Sequence, residues 1–306
     1  MNEKVAKHSP AFTLVELLVA MTVLSLLVVL ISSFLSGVNK AWVSGEERVE
    51  TYQSGRAILE MMTRELKSSV ISPSLQFIQN PPMGTAEQTP WFQRSNSSAL
   101  FWQSALKSGT SGNLAEIGYY LDTSFRLRRF YVPPDNASYN IFAAPPSALT
   151  APWVSNFDPV AQPALFSTVS DGILGVWVRC MDQNGEAIPW YQTAIPFNSA
   201  TSFQPAVPGQ FSSFKYTNAA TTAKAHLLPY SVEITVITLD AKTLQRVGAA
   251  AIPGMPPDAS DPSSPTVVGP NDVPEAIRYF EQKLVSKNIK SARTFSTSVR
   301  LPKTWQ

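Results

Sequence analysis

The sequence contains very few of the residues on which enzymes and disulfide-linked proteins most often depend. Its 306 residues include one cysteine, Cys180, and two histidines, His8 and His226. A single cysteine excludes a disulfide within the chain, and Cys180 with His226 is too small a set for a four-ligand zinc site. Cys180 lies in an apolar, strand-like run, which favours a buried and inert thiol. We therefore expect no bound metal and no cofactor.

Charged residues are also scarce. They make up 15% of the chain and leave a net charge of +2, whereas ordinary soluble domains contain about 25% charged residues. No basic stripe is present, which argues against nucleic acid as a partner. Polarity comes instead from Asn, Ser, Thr and Gln together with 25 prolines, a composition typical of an extracytoplasmic domain with long loops.

The short motifs of common active sites are missing too. The sequence has no G-x-S-x-G, no phosphate-binding Walker loop, no H-E-x-x-H and no G-x-G-x-x-G. A Ser-His-Asp triad would have to use His226, which lies in a stretch rich in Ala and Thr. Asp258, Asp261 and Asp272 are too scattered to form a calcium-binding loop. We therefore expect a protein that is not an enzyme.

What the chain does contain is one long apolar run near its N-terminus. Residues 17–39 carry no charge and exceed the ~20 residues that a helix needs to cross a bilayer. Just ahead of them stands Glu16, the fifth residue counted from Phe12. A carboxylate at such a position costs ~2.5–3.5 kcal/mol on insertion scales, so it is usually retained for a function. A short polar leader with Lys4 and Lys7 comes first.

The order of basic leader, small residue, Phe-Thr-Leu-Val-Glu and spanning helix resembles the class III signal of type IV pilins and type II secretion pseudopilins. The resemblance implies that a prepilin peptidase cuts between Ala11 and Phe12 and that the new amine is methylated. It also implies that Phe12 and Glu16 act in filament assembly. One departure is Ala11, because the family usually has Gly before the cut.

Two other interpretations of the run compete with this one. An ordinary secretory signal has a shorter apolar core, which is lost on cleavage. Here the run is longer and continues into an amphipathic segment. A plain single-pass anchor needs only basic flanks and an apolar span, and it leaves Phe-Thr-Leu-Val-Glu unexplained.

The leader also predicts the orientation in the membrane. Lys4 and Lys7 precede the span, and the positive-inside preference keeps that end in the cytoplasm. We expect a single pass through the inner (cytoplasmic) membrane, with the C-terminal domain in the periplasm.

The pattern after the span predicts an α+β fold, a long helix packed on antiparallel β-sheets as in pilins. Residues 40–72 contain no proline, and Tyr52, Leu59, Met62, Leu66 and Val70 form one helical stripe that needs a sheet to cover it. The predicted organisation is: 1–11 leader peptide, 12–39 transmembrane helix, 40–72 amphipathic continuation of the helix, 73–252 pilin-like β-rich domain, and 253–306 Pro-rich linker with a C-terminal helix and strand.

Several strands follow from alternation and turn residues. The predicted strands are residues 99–102, 116–121, 125–132, 173–181, 231–239 and 292–301, with 245–252 as a hairpin mate of 231–239. Asp272 is predicted to cap a helix that begins near Pro274 and carries Ile277, Phe280 and Leu284 on one face. Residues 253–274 resemble a mobile linker.

The globular part has a second resemblance, to minor pseudopilin J of type II secretion systems. It rests on the Leu-Pro-x-x-Val segment of residues 228–235, the Tyr119-Tyr120 hairpin, and Trp190 after an Asp-x-x-Gly turn. The resemblance implies a heteromeric complex with related minor subunits. Arg126, Arg128 and Arg129 on the hairpin have two interpretations, a docking surface for a partner or a solvated strand face.

Two functions remain open at this point. The first is a minor pseudopilin-like structural subunit of a type II secretion or type IV pilus-like filament, with other pilin-like subunits as partners. The second is a pilin-like adhesin or binding module displayed on a longer filament. The adhesin would use its Pro-rich loops.

Overall fold

The structure is a computed structural model that describes most of the chain. The described residues are 13–70, 77–79, 94, 96–105, 112–137, 139, 159, 162–188, 211–212, 229–258, 260–267 and 269–302. The chain divides into two compact units, Met1–Val49 and Glu50–Gln306. Some residues of the sequence analysis lie outside the described stretches: the leader 1–11 with Ala11, then Phe12, Trp190, His226 and Leu228.

The first and longest element is helix α1, Leu14–Lys67. In the first unit its apolar side chains are exposed on every side, Leu24, Ile31 and Phe34 among them. By length and composition this helix can cross a membrane. The long apolar helix that the sequence predicts at the N-terminus is therefore confirmed.

Within the second unit, α1 buries one face. The buried residues return to one face of the helix every three or four positions: Thr51, Gly55, Ile58, Leu59, Met62, Glu65 and Leu66. The predicted stripe is wrong at Tyr52, which is 53% exposed. The predicted helix end at Ser72 is also wrong. Ser69 forms a β-bridge with Ser104, and this extended pairing ends the helix at Lys67.

The described residues contain nine strands and two further α-helices. The strands are β1 Ile78–Gln79, β2 Leu100–Ser104, β3 Ala115–Leu121, β4 Leu127–Val132, β5 Phe166–Ser170, β6 Ile173–Met181, β7 Phe211–Ser212, β8 Ser231–Thr238 and β9 Arg293–Arg300. The helices are α2 Ala241–Val247 and α3 Val273–Ser286. Sheet 1 has the order β5-β4-β3-β2-β1-β7 and sheet 2 the order β6-β8-β9, and every pair in both is antiparallel. The α+β pilin-like arrangement is confirmed.

Alternation along the strands divides the buried apolar side chains of the described residues into three clusters. In β3, Ile117 and Tyr119 point toward α1, whereas Tyr120 points to the opposite face of sheet 1. The first cluster joins the buried face of α1 to one face of each sheet. The second covers the other face of sheet 1, and the third lies between sheet 2 and α3.

The predicted hairpin partner of β8 is wrong. Residues 245–252 do not pair with it, because the chain enters α2 directly after Asp240. The Asp240 carboxylate accepts a hydrogen bond from the N–H of Thr243 at 2.6 Å, which caps the new helix. The strands beside β8 are β6 and the distant β9.

The C-terminal helix and strand occur where the sequence predicts them, as α3 and β9. Asp272 precedes α3, but its carboxylate accepts from the N–H of Gly269 and gives α3 no side-chain cap. The stretch predicted as a mobile linker belongs to the second unit and is hydrogen-bonded to it at its start. The amide of Asn96 donates to the carbonyls of Met255 and Pro257, at 2.9 and 2.7 Å.

Candidate functional site at the start of the apolar helix

Thr13 and Glu16 form a reciprocal set of hydrogen bonds at the first turn of α1. The N–H and the hydroxyl of Thr13 both donate to Oε2 of Glu16, each at 2.9 Å. The N–H of Glu16 donates in turn to Oγ1 of Thr13 at 3.2 Å. This is a capping box, in which two side chains satisfy N–H groups that have no partner inside the helix.

The capping box gives Glu16 a structural role that the family resemblance does not imply. The signal for it is readable in the sequence, where Thr13 is followed three residues later by Glu16 and then by an apolar run. The box holds the carboxylate at the very start of the helix. An acid is also favoured there by the helix dipole.

The geometry leaves half of the Glu16 carboxylate for another partner. Both bonds from Thr13 use Oε2, and among the described residues Oε1 has no partner. The helix face around Glu16 is apolar, with Val19, Ala20 and Val23 beside it. A carboxylate on such a face needs a donor or a cation when the face is covered, since an unpaired charge is costly to desolvate.

The three arginines of the β3–β4 hairpin do not form one patch. Arg126 is exposed and pairs with Asp122 at 2.8 Å between Nε and Oδ2. Arg128 is half-buried and donates to the hydroxyl of Thr168 at 3.1 Å. Arg129 points to the other face of sheet 1, toward α1. A partner-binding role of Arg126 and Arg128 stays a prediction, whereas a solvated strand face is wrong for Arg129.

Arg129 belongs to a buried polar cluster with Glu65 of α1. Its guanidinium donates to Oε1 of Glu65 at 2.8 Å and to Oε2 at 3.2 Å. The hydroxyl of Tyr119 donates to the same Oε2 at 2.5 Å. Burial, with the neighbouring Glu65 charge, raises the pKa of Tyr119 far above its usual value. The hydrogen bonds of this cluster hold α1 against β3 and β4, in the middle of sheet 1.

The remaining titratable groups form no reactive constellation in the part of the chain that the structure describes. No three His, Cys, Asp or Glu side chains lie there close enough to hold a metal ion. Cys180 is a free, buried thiol, as the sequence predicts, and burial raises its pKa. A thiol with a raised pKa is a poor nucleophile at neutral pH.

The N-terminal segment matches a known family. Residues 7–32 match the prokaryotic N-terminal methylation motif, and this stretch includes Thr13, Glu16 and residues 17–32 of the apolar run. Comparison with curated proteins finds no match. The motif supports a type IV pilin-like protein. It implies processing by a prepilin peptidase and assembly with other pilin-like subunits. Together with the apolar helix it suggests anchoring by a single membrane pass.

Proposed function

We propose that this chain is a minor pseudopilin-like structural subunit of a type II secretion or type IV pilus-like filament. The supporting observation is the methylation motif at residues 7–32 leading directly into an exposed apolar helix. In this proposal the protein is anchored in the inner membrane before assembly, with its β-rich domain in the periplasm. It then enters a pseudopilus and has no enzymatic activity.

Glu16 is proposed to select and position the neighbouring subunit. After cleavage, Phe12 begins the chain with a positive amine that must enter an apolar filament core. Oε1 of a neighbouring Glu16 can accept from that amine while Oε2 stays in the capping box. A charge pair in a low dielectric stabilises only when both members are present.

The exposed apolar helix supplies the driving force for assembly. An apolar surface of this extent cannot remain in water, so extraction from the bilayer requires other helices to cover it. Small residues allow helices to approach closely, and the run contains Ala20, Ser25, Ser32 and Ser33. Ser25 donates its hydroxyl to the carbonyl of Thr22 at 2.9 Å, so it brings no unsatisfied donor to such an interface.

Processing is tested on the protein extracted from membranes. Intact mass analysis should give a chain that begins at Phe12 with a methylated amine and retains the apolar run. Deleting the prepilin peptidase should restore the mass of the full chain. A mature chain that begins after residue 30 would identify an ordinary secretory signal and overturn the proposal.

Assembly is tested by replacing Glu16. The variant Glu16→Leu should insert into the membrane normally, yet it should no longer co-purify with co-expressed pilin-like subunits. The matched control is Glu46→Leu, an exposed carboxylate on the same helix beyond the apolar run. Unchanged co-purification of partners by Glu16→Leu would remove Glu16 from the assembly mechanism.

A further inference from the structure

The outer face of sheet 2 carries a pocket of about 490 Å³ beside the first turn of α3. Two rows of side chains, aligned across the three strands by the strand register, form its floor. One row is Trp177, Thr235 and Ser296, and the next is Arg179, Glu233 and Ser298. A volume of this size lies in the range of small-molecule sites.

The pocket exists because α3 covers only part of the sheet. Phe280 of α3 packs on Trp177, with ring centroids 5.6 Å apart, and Glu281 accepts from the hydroxyl of Thr294. These contacts place the body of the helix over one end of sheet 2. Its first two turns then form one wall of the pocket, with Pro274 and Ile277 as the apolar part and Arg278 as a cation.

The polar floor is close to neutral and is rich in both donors and acceptors. Nε of Arg179 lies 3.3 Å from Oε2 of Glu233, so the two charges oppose each other. The hydroxyls of Thr235 and Ser296 are hydrogen-bonded at 2.8 Å and can still accept or donate further bonds. The side chain of Glu233 is 40% exposed and remains accessible from solvent.

This chemistry discriminates between ligand classes. A free anion is repelled by the Glu233 carboxylate, which lies next to Arg179. An apolar ligand is disfavoured because it would leave the polar groups of the floor without hydrogen-bond partners. A sugar ring has adjacent hydroxyls that donate to a carboxylate and accept from a guanidinium, and its C–H face suits an apolar wall. Those are the groups that Glu233, Arg179 and Ile277 present together.

We propose that this pocket binds a neutral oligosaccharide, with Arg179 and Glu233 bonding to adjacent hydroxyls and the first two turns of α3 covering one face of the sugar. The site does not depend on Glu16 or on the methylation motif. Its success or failure is therefore separate from that of the filament role.

The test uses the full chain in detergent micelles, spread on an array of neutral glucose, galactose and mannose oligosaccharides beside sialylated and sulfated ones. Binding to a neutral oligosaccharide is expected and is then measured by saturation-transfer NMR. Glu233→Gln and Arg179→Gln should each raise the dissociation constant of the oligosaccharide by at least about tenfold. Glu186→Gln, the same change at an exposed turn residue, should leave it unchanged.

A third variant closes the pocket without removing a buried group. Ser298 lies exposed on β9, so Ser298→Leu puts a bulky side chain on the floor while the fold, checked by circular dichroism, is kept. Loss of binding in this variant supports the site. Absence of binding to every neutral oligosaccharide overturns the proposal. So does binding that survives all three pocket variants, or binding to anionic glycans alone that Arg278→Gln abolishes.

Discussion

Glu65 is a carboxylate inside the core, and its partners come from the facing sheet. The Glu65 and Arg129 side chains are 9% and 19% exposed, so water screens their interaction little. Tyr119 donates to the carboxylate as well. Removing one member of a buried ion pair leaves the other charge without compensation, and this costs more than replacing the whole pair.

Arg129→Met is therefore expected to lower the free energy of unfolding by ~3 kcal/mol. The double variant Glu65→Leu with Arg129→Met should recover most of that loss, because no unpaired charge remains. Urea unfolding in detergent micelles, followed by tryptophan fluorescence, measures both. Arg126→Met is the control, because the Arg126 side chain is 44% exposed and the Asp122 carboxylate keeps its bonds from the N–H groups of Ser124 and residue 126. Its loss should therefore cost at most ~1 kcal/mol. A double variant that is less stable than Arg129→Met would contradict this account.

Asp261 anchors the segment before α3 by bonding to Lys283 and Tyr279 of that helix. This contact should make the stability of the protein depend on pH in the acidic range. The ammonium group of Lys283, 2.5 Å from Oδ2, and bonds from Ser263 and Tyr279 hold the pKa of Asp261 well below its usual range. A carboxyl whose pKa is lowered by folding stabilises the folded state above its unfolded pKa of about 4. That contribution is lost as the pH falls through the folded value.

Asp261→Asn should therefore lower stability at neutral pH, and the difference from the natural chain should shrink below about pH 4. Urea unfolding at a series of pH values measures this difference. Asp135→Asn, at an exposed turn residue, is the control and should leave stability unchanged at every pH. If the stability difference between Asp261→Asn and the natural chain stays constant as the pH falls below about 4, the Asp261–Lys283 pair is not its cause.

At the scale of elements, the contact between α1 and β9 depends on a glycine inside the helix. A Cβ at Gly55 would lie 2.4 Å from ring carbons of Phe295, so only glycine lets the ring approach the helix backbone. Phe295 also meets Tyr52 edge-on, at 5.6 Å between ring centroids. A residue that weakens an isolated helix thus permits the packing of this one.

Gly55→Ala should lower stability by ~1–3 kcal/mol through overpacking, despite the better helix propensity of alanine. Gly45→Ala is the matched control on the same helix, because a Cβ there meets nothing within 4 Å. It should leave the unfolding transition unchanged or raise it. Adding Phe295→Ala to Gly55→Ala should remove the clash. A stable Gly55→Ala protein would show that the ring moves aside at little cost.

At the scale of the whole molecule, the two units differ in what they expose. The first unit carries exposed large apolar residues throughout its helix, whereas in the described part of the second unit only Tyr52 and Val285 are of this kind. The second unit also contains the three core clusters. The second unit therefore has its own core, and the first requires a membrane or other helices.

A fragment that begins at Lys40 should consequently be a soluble monomer, and it should bind the pilin-like proteins encoded beside it. Size-exclusion chromatography of the fragment alone and mixed with each partner measures both properties. A complex with none of them, together with binding to a surface or polysaccharide, would replace the filament role with the adhesin role. Self-association of the fragment would contradict the prediction that it is a monomer.

The sequence by itself determined the elements whose signals are local. The uncharged run and Phe-Thr-Leu-Val-Glu predicted the apolar helix, and alternation predicted β3, β4, β6, β8 and β9 with errors of a few residues at their ends. The amphipathic pattern of Ile277, Phe280 and Leu284 predicted α3 in the same way. Each of these signals lies within a short window, because strand and helix periodicity repeat every two to four residues.

Only the tertiary structure decided which of these elements meet. β9 pairs with β8 although α2 and α3 intervene, and residues 245–252, predicted as a strand, form the end of α2 and a short 3-10 helix. Arg129 forms an ion pair with Glu65. Arg179 and Glu233 line a pocket together with the first two turns of α3. Contacts between residues far apart in the chain depend on register and on which faces are buried together, and no local pattern encodes them.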